Sequence, residues 1–421
     1  MNPPRTSHPV PRTVEIMSPV GSYESLYAAI QGGADSVYFG VGQLNMRSRS
    51  ANNFDLFDLQ KITEICKEHG VRSYLTLNTI VYDHELQVMK DILNTAKNVG
   101  VSAVIASDLA VMMYARSINF PVYISTQCNI TNIEAVRFFA QFADVMVTAR
   151  ELSLEQVASI IQQISVEQIT GPSGRLVEIE VFVHGALCMA VSGKCYLSLD
   201  NYNASANRGA CLQLCRRPYK ITDTDGGTEL AVDNAYILSP KDLKTLDFLD
   251  KIIKAGVKIL KIEGRGRSAD YVKTVTRIYK EAVNAIFENT FTKERLGVWN
   301  EQLKTVYNRG FWDGYYLGQT LGEWTEEYGS QATKRKVYVG KITNYFKEVN
   351  VAEIKIETGQ LSVGDEMRIM GETTGVYEDT ISEIRVELQP VQTAEKGVFC
   401  SIATRELLRR GDKVYRWDDV V

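Results

Sequence analysis

Four cysteines, Cys188, Cys195, Cys211 and Cys215, fall in one stretch with the spacing C-x6-C-x15-C-x3-C. Thiolates gathered in this way are soft ligands that suit an iron–sulfur cluster or zinc. Tetrahedral zinc sites usually show a short C-x2-4-C knuckle in each half, and only Cys211/Cys215 fits that pattern. Two disulfides, or ordinary buried thiols, are the competing readings. Four cysteines in a Gly- and Asn-rich loop argue against scattered core thiols. The segment before them, 179–183, is apolar and β-branched as a buried parallel strand should be, so the cysteines begin where a strand ends.

Further polar residues follow apolar runs. His184 stands beside Gly185, four residues before Cys188. It is either a satisfied hydrogen-bonder or a catalytic or ligand-orienting group. Strand alternation would put Glu180 on the same face as His184. Arg150, and Glu263 with Arg265 and Arg267, follow two other runs, and an arginine fork can hold a carboxylate through two parallel hydrogen bonds. Arginines collected at one mouth suggest an anionic substrate, a small polycarboxylate or a phosphate backbone. The plainer alternative is that Arg150–Glu151 and Glu263–Arg265 pair with one another. Asp108 (or Ser107) and Ser153 read as helix N-caps. Protease chemistry finds little support: none of the four histidines lies in an H-E-x-x-H motif, and no G-x-S-x-G elbow is present. A cysteine nucleophile would be Cys188, Cys195 or Cys128 working with His184, but bunched cysteines favour a cluster.

The elements that must carry these residues alternate along the chain. Eight short apolar strands, at 14–17, 36–39, 73–77, 103–106, 122–125, 145–148, 179–183 and 259–262, are separated by amphipathic helices, with one helix placed near 241–254. This predicts an α/β fold, a (β/α)8 TIM-like barrel, with its site at the C-terminal ends of the strands. An open doubly wound sheet is the alternative, but no G-x-G-x-x-G follows the first strand. The expected organisation is a flexible tail at 1–13, the barrel at 14–289 with a cysteine-rich insertion at 185–235, and an aromatic-rich linking region at 290–335. From 336 to 421, short alternating strands between Gly, Asp and Asn turns predict a small antiparallel β-barrel resembling domain 2 of elongation factors.

The 421 residues are 45% hydrophobic and 23% charged, as in a soluble globular protein. No apolar run approaches the ~20 residues that cross a bilayer. The first residues lack a signal-peptide core. A cytoplasmic location with reduced thiols, and no membrane partner, is the expectation. The net charge of −4 offers no global attraction for nucleic acid. RNA binding would need a local patch, for which Arg208, Arg216, Arg217 and Lys220 in the cysteine loop and Lys334, Arg335 and Lys336 are the candidates.

The stretch EVFVHGALCMAVSGKCYLS, continued by RGACLQLCRRPY, resembles the signature of the collagenase-like peptidase U32 family. MSPVGSYESLYAAIQGGADSVYFG, ISTQCNITN, ARELSL and LKIEGRGRSADYV resemble further blocks of that family in the same order. The resemblance implies an oxygen-independent hydroxylase with a 4Fe–4S cluster, and Cys188, Cys195 and Cys211 match three of its ligands. In some relatives the fourth lies near the segment that reads SPKDLKTL here, where Lys244 stands instead of cysteine; Cys215 is then the local candidate. The implied reaction is prephenate-dependent conversion of the wobble uridine of tRNA to 5-hydroxyuridine, with tRNA and prephenate as partners and a second family member as a further one. Catalytic roles fall on His184, Glu180, Arg150, Glu263 and Arg265. The alternatives within and beyond the family are a collagenase-like peptidase, a hydroxylase of rRNA or of a ubiquinone precursor, and a zinc-stabilised RNA-binding factor without catalysis.

Overall fold

Apolar β-branched runs too short for helices, each followed by an amphipathic helix, leave a chain one way to bury both faces of its strands: a parallel sheet wrapped in helices. The computed structural model describes residues 14–49, 53–219, 236–319 and 321–420; the tail at 1–13 and Lys220 lie outside them. Eight parallel strands close into a barrel: β1 (Glu15–Pro19), β2 (Ser36–Gly40), β3 (Arg72–Leu77), β4 (Ala103–Ala106), β5 (Val122–Ile124), β6 (Val145–Val147), β7 (Glu178–Ala186) and β8 (Ile259–Ile262). Each pairs with the next up to β7, and β8 closes the ring against both β7 and β1.

Caps stop the helices where local chemistry allows. Ser22 and Ser153 form capping boxes, Asp108 accepts from the Ala110 amide at 2.8 Å, and Gly100 ends its helix in the left-handed region. Inside the barrel, Met17, Tyr38, Tyr74, Ile105, Val145 and Ile259 pack together, and the helices bury a larger apolar layer outside.

Two local expectations are corrected. The segment near 241–254 is not one helix. A strand Asp242–Lys244 pairs antiparallel with the end of β7, and only Leu249–Lys254 is α-helical. The nine-residue β7 overshoots the barrel rim, and its free edge recruits this strand. The alternation expected to align Glu180 with His184 also fails. Phe182 pairs with Lys261 but His184 with Ile262, a β-bulge that turns the chain over, with Gly185 at φ 106°. Glu180 and Phe182 point into the barrel, whereas His184 packs outside it against Tyr271 and Tyr279 of helix Ala269–Phe287.

The aromatic stretch after that helix is largely core: Trp299, Trp312 and Tyr316 are buried with the barrel's outer layer. The C-terminal region is antiparallel and strand-rich, with an eight-stranded sheet and its own core of Val339, Ile342, Ile354, Ile369 and Val414. It is fastened to the barrel by Met370 and Val376 in the barrel's core, by Gln31 bonding the backbone of Thr374 and Val376, and by Lys336 on the buried Asp270 at 2.5 Å.

Candidate functional site

Inward-facing positions of β1, β3, β7 and β8 stack charged groups along the barrel axis. Near the N-terminal end Arg72 pairs with Glu15 at 2.5 Å. Half-way up, Lys261 donates to Glu180 at 2.6 Å, and its ammonium stands 4.5 Å from the centre of the Tyr38 ring. Both partners are buried, and Glu180 Oε2 has no hydrogen-bond partner among the described residues. Glu180 is therefore an internal counter-ion below the mouth rather than a group at its rim.

At the mouth, Glu263 accepts from Arg47 Nη2 at 2.6 Å and Nε at 3.2 Å, and from the Tyr38 hydroxyl at 3.3 Å. Burial alone would push its carboxyl up, but the charges of Arg47 and Arg150, the hydrogen bonds from Arg47 and the charge of Arg265 hold it down at about 2. Arg265 Nη1 donates to Thr76 Oγ1 at 2.8 Å and to Asn45 Oδ1 at 3.1 Å. Burial lowers its pKa to about 10 against the partial support of Tyr38 and Glu263. Gly40 makes room for this arrangement, since a Cβ there would stand 2.6 Å from both Arg265 Nη1 and Asn45 Cγ. Arg150 lies 3.9 Å from the centre of the Phe182 ring, donates to the Ala186 carbonyl at 3.1 Å, and keeps a buried Nε that has no partner among the described residues. The simple pairings Arg150–Glu151 and Glu263–Arg265 do not form: Glu263 is held by Arg47, and among the described residues no carboxylate lies within ion-pair distance of Arg150 or Arg265.

The cysteine loop folds over this mouth and is anchored on two sides. Gly209 sits so close to the Asn45 carbonyl that a Cβ would come within 2.2 Å. Arg216 donates to the Leu187 carbonyl at 2.6 Å, the Pro240 carbonyl at 2.8 Å and Ser239 Oγ at 2.9 Å. These anchors bring Cys188, Cys195, Cys211 and Cys215 to the wall of one cavity of about 210 Å³, and none of the four is in a disulfide. Burial pushes the Cys215 thiol up, Arg216 draws it down, and the neighbouring Cys188, Cys211 and Cys195 push it up again. Among the described residues no three His, Cys, Asp or Glu side chains converge closely enough to hold a single metal ion. Lys244 is tied to Asp247 and Asn300 at 2.7 Å each and does not line the cavity.

The same cavity is lined by Arg47, Arg150, Arg265, Arg267 and Arg309, with Lys261 at its floor and Arg216 on the loop; Glu263 is the sole carboxylate among the lining residues. Three expected site residues thus meet the four cysteines: Arg150, Glu263 and Arg265. His184 does not line the cavity. Its Nδ1 is 3.4 Å from the Tyr279 hydroxyl, its ring is boxed by Tyr271, Tyr279 and Phe311, and burial with the charges of Lys244 and Arg267 drives its pKa to about 3. Cys128 is no better placed as a nucleophile, because burial pushes its thiol to about 12.

The expected basic patch is dispersed. Arg208 is bound to Glu85, Lys334 to Glu366 at 2.9 Å, Lys336 to Asp270, and Arg216 to the loop itself. Arg217 and Arg335 remain exposed. Arg47, Asn45, Tyr38, Thr76 and Lys261 complete the mouth, and no sequence motif marks them. Arg47 lies in the long β2 loop where no periodicity marks it, although its position after a barrel strand was a usable signal.

Comparison with known proteins gives one family model and relatives named for two different activities. A family model described as Peptidase family U32 matches residues 21–326. The chain is 58% identical over 404 residues to a protein named collagenase from Porphyromonas gingivalis, covering 96% of this chain and 98% of that one. It is 29% identical over 413 residues to tRNA hydroxylation protein P1 of Bacillus subtilis, covering 94% of each. It is also 34% identical over 279 residues to a 23S rRNA 5-hydroxycytidine synthase of Escherichia coli, covering 65% of this chain and 40% of that one.

Proposed function

The chain belongs to peptidase family U32, and from that premise we propose that it is an iron–sulfur-dependent RNA hydroxylase that converts the wobble uridine of tRNA to 5-hydroxyuridine with prephenate bound at its barrel mouth. The observation that carries this reading is one cavity combining four free thiols with seven cationic side chains and a single carboxylate. The donor set fits a 4Fe–4S cluster on Cys188, Cys195, Cys211 and Cys215. Zinc would need thiolates drawn to ~3.8 Å of one another around a single ion, by tetrahedral geometry at Zn–S ≈ 2.3 Å. A four-iron cluster has a separate iron for each thiolate and accepts a wider spread. When bound, such a cluster supplies one-electron chemistry.

The remaining roles belong to the chain. Arg265 and Arg150, which have no carboxylate within ion-pair distance among the described residues, bind the carboxylates of a small dianion. Glu263 stays ionised and fixes Arg47 beside them. Lys261 and Glu180 close the barrel floor with a buried ion pair and keep bulk water from entering beneath. The cysteine loop, clamped by Arg216, covers the mouth from above. Relatives named for tRNA and rRNA hydroxylation support an RNA substrate.

A second reading, a collagenase-like peptidase, is favoured by the 58% identity to the protein of that name. The site offers it no nucleophile–base pair, since His184 is neutral and boxed away from every cavity cysteine. Mass spectrometry of tRNA nucleosides from cells with and without the gene separates the two. Loss of 5-hydroxyuridine on deletion, restored by the wild-type gene, supports the hydroxylase. An unchanged nucleoside profile, with gelatin cleaved by the purified protein, would replace it by the peptidase.

A further inference from the structure

A second groove, of about 690 Å³, lies on the outer side of the cysteine loop. Cys211, Gln213, Arg216 and Arg309 line both the groove and the barrel-mouth cavity, so a thin wall of the loop separates them. The groove is basic on an acidic protein: four arginines face one carboxylate, Glu327, among its lining residues. Two of the four are already engaged, Arg216 by the carbonyls of Leu187 and Pro240 and Arg309 by Asp242 at 3.3 Å. Arg49 and Arg217 are exposed, and among the described residues neither has a carboxylate within ion-pair distance. An aromatic platform stands at the edge. Tyr328 is 74% exposed and packs at 6.4 Å, tilted by 32°, on Tyr236.

We propose that this groove is the seat of a single-stranded RNA segment, with Arg49 and Arg217 on its phosphates and a base stacked on Tyr328, so that a neighbouring nucleotide reaches the barrel mouth across the Cys211–Arg216 wall. The proposal rests on the RNA reading above and deepens it. Phosphates demand exposed cations that no carboxylate neutralises, and bases demand an open aromatic face; the groove combines both, with Arg217 held by the Tyr202 hydroxyl at 3.3 Å. It also moves the RNA surface away from Lys334 and Lys336, whose charges are spent on carboxylates.

The test is the binding of an anticodon stem-loop oligoribonucleotide, followed by fluorescence anisotropy across a salt series, to anaerobically purified full-length protein. R49A/R217A should lower the log–log salt slope by about 1.4, at roughly 0.7 per phosphate contact on a single strand. Y328A should weaken binding about tenfold with the slope unchanged, as loss of one stacked base does. R335A, on the exposed start of the C-terminal region, should bind as wild type. All these side chains are exposed, and unchanged melting temperature and iron content verify that the variants are folded. Wild-type slope and affinity in both groove variants would overturn the groove while leaving the RNA reading standing. A wild-type protein that binds no RNA would remove both. Displacement of the oligonucleotide by polyglutamate as readily as by unlabelled RNA would also overturn it, because the groove would then be a general polyanion surface.

Discussion

Replacing Arg265 by Met tests the anion site at its most exposed weakness. The guanidinium is buried with only neutral hydrogen-bond partners, Thr76 and Asn45, and burial lowers its pKa to about 10. Relative to an ordinary value above 12, that depression leaves the charged form dominant at neutral pH but about 3 kcal/mol less favoured than it is in water. A bound carboxylate recovers that cost, and losing one buried charge-assisted pair removes about 2–5 kcal/mol, or a 30-fold or larger drop in affinity. Met fills much of the same volume. Thr76 keeps its bond to the Phe39 carbonyl and Asn45 its bond from the Arg47 amide, so the ligand-free protein should melt close to wild type. Calorimetric titration with prephenate gives the affinity, and thermal melting gives an independent reading. Ligand at 100 times the wild-type Kd stabilises by about 2.7 kcal/mol, and a 30-fold weaker variant retains about 0.9 kcal/mol. Iron content should be unchanged. Wild-type prephenate affinity in R265M would refute the assignment of Arg265 to the anion, and loss of iron would make the residue structural.

The titratable groups of the mouth and its surroundings give further outcomes. His184 is neutral in the fold, with a pKa of about 3 against 6.5 when unfolded. Its contribution is complete above pH 6.5 and is lost as pH falls toward 3, on the order of 5 kcal/mol. H184F should therefore flatten the acid limb of a urea-melt series over that window and leave the pH profile of hydroxylation without a histidine step to lose; a profile shifted by H184F would place His184 in catalysis. Glu263, held at about 2 against 4.5, stabilises the fold above pH 4.5 and loses about 3 kcal/mol as pH falls toward 2. E263Q should remove that dependence and release Arg47, and an unaltered acid limb would show that the Arg47–Glu263 pair is not formed. D270N should loosen the C-terminal region, because Asp270, in the first turn of helix Ala269–Phe287, is buried and holds Lys336 of that region. Faster proteolysis after residue 334 with the barrel intact is the expected result, and an unchanged cleavage pattern would contradict it.

Much of this architecture was legible because strands and helices announce themselves by period. β4 and β8 fall where the apolar runs 103–106 and 259–262 put them, and helix Ala269–Phe287 follows its Tyr271, Val275, Ile278 and Ala282 spacing. The grouping of the cysteines was visible in their spacing alone. What stayed hidden depends on single residues that no period records. One extra residue in β7 reverses the side of His184 while leaving Glu180 inside, and Gly185 offered only a weak hint of a bulge. The strand Asp242–Lys244 has a helical-looking sequence and becomes extended because the overshooting end of β7 offers it an edge. Arg47 reaches Glu263 across 216 residues of sequence, a pairing that only closure of the barrel creates. The basic residues of the expected patch look free in sequence because their carboxylate partners, Glu85, Glu366 and Asp270, come from distant elements.

We assign one four-iron cluster to Cys188, Cys195, Cys211 and Cys215, at the rim of an arginine-lined anion site. The most direct test of that assignment is the iron, sulfide and zinc content of full-length protein purified without air, measured beside a C188A variant. We expect a brown protein with about four iron and four sulfide per chain, and a C188A variant bleached of most of its iron. A colourless wild-type protein holding one zinc and no iron would contradict it.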